Sequence, residues 1–182
     1  CSISFKNVLN VNEIFLYNIL LVVTIKESLE KFGANNIKFK WPNDILHKNK
    51  KFSGVISESL KIDDLNDYII SGFGINIKSA PKIKNYQTTY VNSFCTINNI
   101  SKFLLIFFEI LFFNLKNFFL KKNNDLIDNF KKNLLYIGDK INIKLNDNSF
   151  LEGKFIGINN DGSLILKNNN KIINLYNGNI IL

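Results

Sequence analysis

The chain has 182 residues, 46% of them hydrophobic and 21% charged, with a net charge of +8. That length and balance can bury a real core, as one domain or a domain with a small appendage, and exclude a disordered or fibrous chain. The charge invites a nucleic-acid role, but every basic residue is Lys and none is Arg, the residue suited to bidentate phosphate and base recognition, so the lysines read as solvating and no nucleic-acid partner is expected.

Residues 1–5 alternate as a strand. Residues 12–32 read as a helix, with Asn12 as its cap, Glu13 favourable for the dipole and Gly33 as its stop. Its middle is apolar on nearly all sides, which predicts a buried position against a sheet; it is too short, and too interrupted by Asn18, to cross a membrane. Residues 37–40 predict a second strand. A hairpin around His47-Lys48-Asn49-Lys50 leads into a strand over 52–58, and Asp63-Asp64-Leu65-Asn66 turns the chain into another over 68–77. Residues 81–94 have no period and read as loop. Asn99 or Ser101 caps a helix running to about 119, and a shorter helix follows over 125–134. From Gly138 the texture changes. Strictly alternating runs over 141–145, 149–158, 163–167 and 171–176 are separated by Asn/Asp/Gly turns, which predicts a small antiparallel barrel with its boundary near Tyr136.

Cys1 and Cys95 form neither a metal pair nor a disulfide framework, so reduced, cytoplasmic thiols are expected. His47, the single His, reads as a surface hairpin residue. No Ser-His-Asp or Cys-His arrangement can be assembled, and no metal site is certain.

The most informative stretch is Lys40-Trp41-Pro42-Asn43-Asp44. It holds the only Trp and one of two Pro residues, and it follows a strand that Pro42, lacking an N–H, must stop. A cation, an indole and two polar side chains are thus delivered together at a strand end. Two blocks follow: Lys51-Phe52-Ser53-Gly54-Val55-Ile56-Ser57-Glu58, then Gly72-Phe73-Gly74-Ile75-Asn76. Glycine in a strand lets a ligand approach the backbone. A dinucleotide loop is a poor account of Gly72 and Gly74, because a third glycine is missing and no helix starts there.

The order and spacing of these blocks resemble the catalytic domain of biotin protein ligases, and the C-terminus resembles that family's small barrel. The resemblance implies an α/β (α+β) fold: a class II aminoacyl-tRNA-synthetase-like catalytic domain over 1–135, with a mixed sheet and helices, and an SH3-like β-barrel over 136–182. It implies ATP-dependent formation of biotinyl-5′-AMP, then transfer of biotin to a lysine of a carboxylase's biotin carboxyl carrier domain. ATP, Mg²⁺ and biotin would be the small molecules, with no membrane partner and a homodimer left open. By resemblance Lys40 is the catalytic residue and contacts the biotin carboxyl and the α-phosphate. Gly54, Gly72 and Gly74 wall the biotin pocket, and the Asn76 amide faces the adenylate. Asn43 and Asp44 hold the loop, or Asp44 helps position Mg²⁺. A lipoate-type acyl ligase of the same fold and a non-catalytic remnant are the alternatives. The family's Arg/Gly-rich loop, GRGRxGR, precedes the strand that residues 1–5 resemble, and this chain contains no Arg. The chain therefore reads as a piece of a longer protein, expected on its own to bind biotin weakly and to make no adenylate.

Overall fold

The computed structural model describes residues 1–6, 14–61, 67–84, 86–120, 124–169 and 171–181. Two sheets and three helices organise them. The first sheet contains β1 (Ser2–Lys6), β2 (Ile37–Lys40), β3 (Asp44–His47), β4 (Lys50–Lys61) and β5 (Asp67–Ile75), in the order β1-β5-β4-β3-β2. Its ladders are all antiparallel. The resemblance implies a mixed sheet; among the described residues parallel pairing occurs only at two isolated bridges, Phe39 with Leu134 and Lys51 with Thr88. Short turns explain this for β2-β3 and β3-β4, because strands joined by three or two residues can only run antiparallel. Lys48 and Asn49 both take left-handed φ, at 49° and 61°, as a two-residue hairpin between β3 and β4 requires.

One face of this sheet is covered by α1 (Ile14–Glu30). Every residue of α1 from Leu16 to Lys26 is buried, so its apolar character on all sides has a cause: the sheet lies on one flank, and α2 (Ile100–Phe119) and α3 (Asn124–Asn133) pack on others. Gly33 ends the helical stretch at φ 87°, a conformation an L side chain resists. Asn99 caps α2, its side-chain oxygen accepting from the Lys102 amide at 2.9 Å. Asn114 of α2 and Asn129 of α3 both donate to the Glu27 carboxylate at 2.9 Å, which ties the three helices through one polar knot. No helix among the described residues is long and apolar enough to cross a membrane.

The second sheet comprises β6 (Lys140–Lys144), β7 (Phe150–Ile158), β8 (Leu164–Asn168), β9 (Lys171–Leu175) and β10 (Asn179–Ile181), ordered β10-β6-β7-β8-β9 and antiparallel throughout. Four of these strands follow the predicted alternation within a residue or two; β10 is the additional one. Among the described residues no ladder joins β9 to β10, so the barrel is not closed there. Buried residues of both sheets belong to one continuous apolar cluster.

Three expectations fall on residues outside the described ones: the Asn12 cap with Glu13, the turn over 63–66, and Asn170 of the last asparagine turn. His47 differs from expectation. It is 9% exposed and stacks on Phe94, with ring centroids 4.0 Å apart, because the stretch over 91–95 folds back over the end of the hairpin. Burial first, and Lys48 second, push its pKa down. Both cysteines are free; Cys95 is buried and burial pushes its thiol up.

Candidate active site

The Lys40-Trp41-Pro42-Asn43-Asp44 stretch forms the hairpin between β2 and β3, with Lys40 and Asp44 as its closing rung. Two clamps fix the turn. Trp41 is 1% exposed, stacks on Phe15 of α1 with centroids 5.8 Å apart, and donates its indole N–H to the Gly162 carbonyl at 3.1 Å. Asn43 bonds β4 twice: its side-chain nitrogen donates to the Val55 carbonyl at 2.5 Å, and its own carbonyl accepts from the Val55 amide at 3.1 Å. The Trp41–Pro42 peptide bond is cis. Asn43 is thus placed as a loop-holding residue, and Trp41 as the anchor beneath it.

Registers across the sheet carry this rung further. Lys40 pairs with Asp44, Asp44 with Gly54, and Gly54 with Gly74. Directly opposed residues of antiparallel strands share a face. The four positions therefore form one row across four strands, on the face that α1 does not cover. The adjacent row runs Ile56–Gly72–Ser2, and Ile56 and Ile70 on this face are 62% and 40% exposed. The three glycines leave different amounts of room. A Cβ at Gly74 would meet nothing within 4 Å; at Gly72 it would sit 3.6 Å from the Ser2 hydroxyl; at Gly54 it would sit 3.2 Å from the Lys51 ammonium. The row thus runs from open backbone at Gly74, past the Lys51–Asp44 ion pair beside Gly54, to the Lys40 cation at its end.

Lys51 is the functional candidate that sequence reasoning passed over, although it opens the second block. Between β3 and β4 the register shifts, Ile45 pairing with Ser53 and Leu46 with Lys51, so Phe52 is an extra, bulged residue. Phe52 and Ser53 are consecutively buried, at 0% and 3% exposure. Strict alternation from Gly54 would aim Lys51 into the core; the bulge returns it to the open face. There its ammonium lies 2.5 Å from a carboxylate oxygen of Asp44 and 5.6 Å from the centre of the Tyr86 ring. Its backbone is held on both sides by the adjoining loop, the Lys51 amide donating to Gln87 and the Lys51 carbonyl accepting from Thr89.

Lys40 itself is half-buried, and its ammonium makes no hydrogen bond or ion pair with any described residue. Burial lowers its pKa; Asp44 opposes that shift and Lys51 adds to it. Asn76 lies just past β5. Its amide nitrogen donates to the Thr89 carbonyl at 3.2 Å, and its backbone bonds both Phe52 and Val91. The resemblance aims that amide at an adenylate, yet its nitrogen is committed to the loop that borders Lys51. No group of three His, Cys, Asp or Glu side chains able to hold a metal ion occurs among the described residues.

Two family models match the chain. The model of the biotin/lipoate A/B protein ligase family matches residues 2–76, and that of the biotin protein ligase C-terminal domain matches residues 136–182. The chain belongs to the biotin protein ligase family. A similar curated relative is the bifunctional ligase/repressor BirA of Bacillus subtilis, 26% identical over 177 residues, covering 90% of this chain and 52% of the relative. The chain thus spans about half the length of the curated relatives it matches. Solved biotin protein ligases share the fold. The structure from Aquifex aeolicus in complex with biotin and ATP has a TM-score of 0.78 at 24% identity, covering 98% of this chain and 77% of that one. The structure from Leishmania major in complex with biotinyl-5-AMP has a TM-score of 0.52 at 19% identity, covering 96% of this chain and 76% of that one.

Proposed function

We propose that this chain carries the ligase chemistry of its family: activation of biotin by ATP to biotinyl-5′-AMP, and delivery of biotin to a lysine of a carboxylase's biotin carboxyl carrier domain. In the first step a biotin carboxylate oxygen attacks the α-phosphorus, a phosphorus–oxygen bond forms, and the bond to the leaving pyrophosphate breaks. In the second step the acceptor amine attacks the acyl carbon, an amide forms, a proton is lost and AMP leaves. Neither step needs a covalent nucleophile on the enzyme. Both need two anions held together and the charge developing at phosphorus neutralised.

The observation that carries the reading is a half-buried Lys40 ammonium, unpaired among the described residues, at the end of a row that runs through Asp44 to Gly54 and Gly74 on an open sheet face. A partly desolvated cation interacts with an anion more strongly than a surface lysine does. In this reading Lys40 meets the biotin carboxylate and the α-phosphate, the apolar part of biotin lies along Gly54, Gly72 and Gly74, and Asn76 and Asn43 hold the frame. Mg²⁺ arrives as the ATP complex. The carboxylate within the row, Asp44, has its Oδ1 already engaged by Lys51, which suits a loop-ordering role better than a metal ligand. Residues 1–135 act as the catalytic unit and 136–182 as a C-terminal unit docked on it. A match to the C-terminal domain of biotin protein ligases favours biotin over lipoate.

The test is biotin-dependent exchange of pyrophosphate into ATP by the gene product that carries this sequence. Wild type exchanges, and Lys40→Ala loses on the order of 10²–10³-fold while its circular dichroism is unchanged. Near-normal exchange by the folded variant removes Lys40 from the mechanism.

A further inference from the structure

Lys40 and Asp44 close one hairpin on directly opposed strands, where Cβ atoms lie about 4.5–5.5 Å apart. A lysine and an aspartate so placed would ordinarily form an ion pair. Here they do not: the Asp44 carboxylate is taken by Lys51, 2.5 Å away, and Lys40 is left without a partner among the described residues. The competing cation is not a mobile surface lysine. The bulge at Phe52 aims it, the 87–89 loop holds its backbone on both sides, and the Tyr86 ring lies under its ammonium.

We propose that Lys51 is a positioning residue which, by holding Asp44, keeps the Lys40 ammonium unpaired and open to the substrate anion. This deepens the functional reading above and rests on it for the identity of the anion. Three features agree with it. Lys51 reaches the site only because of a bulge, a device that re-aims a side chain at the expense of a ladder bond. Gly54 leaves room for the Lys51 side chain, since a Cβ there would lie 3.2 Å from both its Cε and its Nζ. The charged groups that act on Lys40 are Asp44 from β3 and Lys51 from β4, with opposite signs, so each offsets the other.

The device makes an asymmetric prediction. Without Lys51, the Asp44 carboxylate turns to Lys40, raises its pKa and occupies it. Without both, Lys40 is released again. The experiment compares wild type, Lys51→Met, Lys51→Arg, Asp44→Asn and the Lys51→Met/Asp44→Asn double variant of the gene product. Two readouts are used. The Lys40 titration midpoint is followed by lysine-selective ¹³C NMR without any substrate, its resonance assigned with Lys40→Met; kcat/KM for biotin comes from pyrophosphate exchange. Lys51→Met is expected to move the Lys40 midpoint upward and to lower kcat/KM on the order of 10²-fold. The double variant returns both toward wild type, and Lys51→Arg retains both. A Lys40 midpoint unmoved in Lys51→Met overturns the proposal. So does a double variant as impaired as Lys51→Met, which would make Lys51 a substrate contact or a fold-supporting residue instead. Titration shifts of the expected pattern in a wild-type protein that shows no exchange would support the device and overturn the functional reading alone.

Discussion

At the scale of single residues, two side chains with the same charge have opposite circumstances. Lys51 is paired; Lys40 is buried enough to be desolvated, and its ammonium has no partner among the described residues. If Lys40 acts as a cation, the sign of its pH dependence follows. Burial lowers its pKa, so the ammonium is lost at a lower pH than for an ordinary lysine. Exchange is therefore expected to fall on an alkaline limb that begins below the usual lysine range. A pH–rate profile of kcat/KM, compared with that of Lys40→Arg, checks this: the arginine variant, which does not deprotonate, should lack the limb. The glycines separate fold from ligand in the same way. Nothing lies within 4 Å of a Cβ added at Gly74, so Gly74→Ala should change stability by no more than about 0.5 kcal/mol. If Gly74 walls the pocket, the same methyl group should weaken biotin binding by about 10-fold or more, read by calorimetry. Unchanged affinity would make the glycine an accident of the strand.

At the scale of elements, what was legible depended on how local the cause was. The strand over 37–40, the Asn99 cap and the Gly33 stop are written in adjacent residues and appear as read, while the strand read over 52–58 extends to Lys50 and Lys61. The bulge at Phe52 was not legible, because it is a disagreement between two strands and has no signature in either alone. Lys51 therefore lay in plain view within a glycine block while its direction remained hidden. β10 is only three residues long, too short for a period. His47 was misread for a related reason: the turn beside it looks like surface, and the Phe94 ring that buries it comes from residues far along the chain. That burial has a measurable consequence. The folded protein holds His47 below its usual pKa, whereas the unfolded chain takes up the proton near the ordinary value. The unfolded state therefore binds more protons, and stability falls as pH drops below about 6.5. Urea denaturation between pH 8 and pH 5 should show that loss, and His47→Phe should flatten it; an equal loss in the variant would assign the effect to other groups.

At the scale of the whole molecule, the sheet that carries the site and the C-terminal sheet meet at one residue of the hairpin. The indole of Trp41 bonds the carbonyl of Gly162, in the turn between β7 and β8, directly after Lys40 in the chain. Asp161 shapes that turn by accepting from the Ser163 amide and hydroxyl at 2.9 and 2.6 Å. Gly162 has φ 85°, and a Cβ on it would lie 3.0 Å from Ile19 and 3.1 Å from Phe15, the residue on which Trp41 stacks. Left-handed backbone and tight contact together leave no room for a side chain, so Gly162→Val should cost about 2–3 kcal/mol. Its effect should also travel. As the turn lifts, Trp41 loses its acceptor, the hairpin loses its anchor, and Lys40 is released from its fixed place. Trp41 is the only tryptophan, so intrinsic fluorescence reports this junction without a label. Wild type should unfold in a single transition, with fluorescence and far-UV circular dichroism coincident, because the two sheets share one apolar cluster. Gly162→Val should shift the emission of the folded protein to the red and lower exchange while Lys40, Asp44 and Lys51 are all present. An unshifted emission maximum, or two separate transitions in wild type, would show that the C-terminal sheet is a passenger rather than a wall of the hairpin that holds the site.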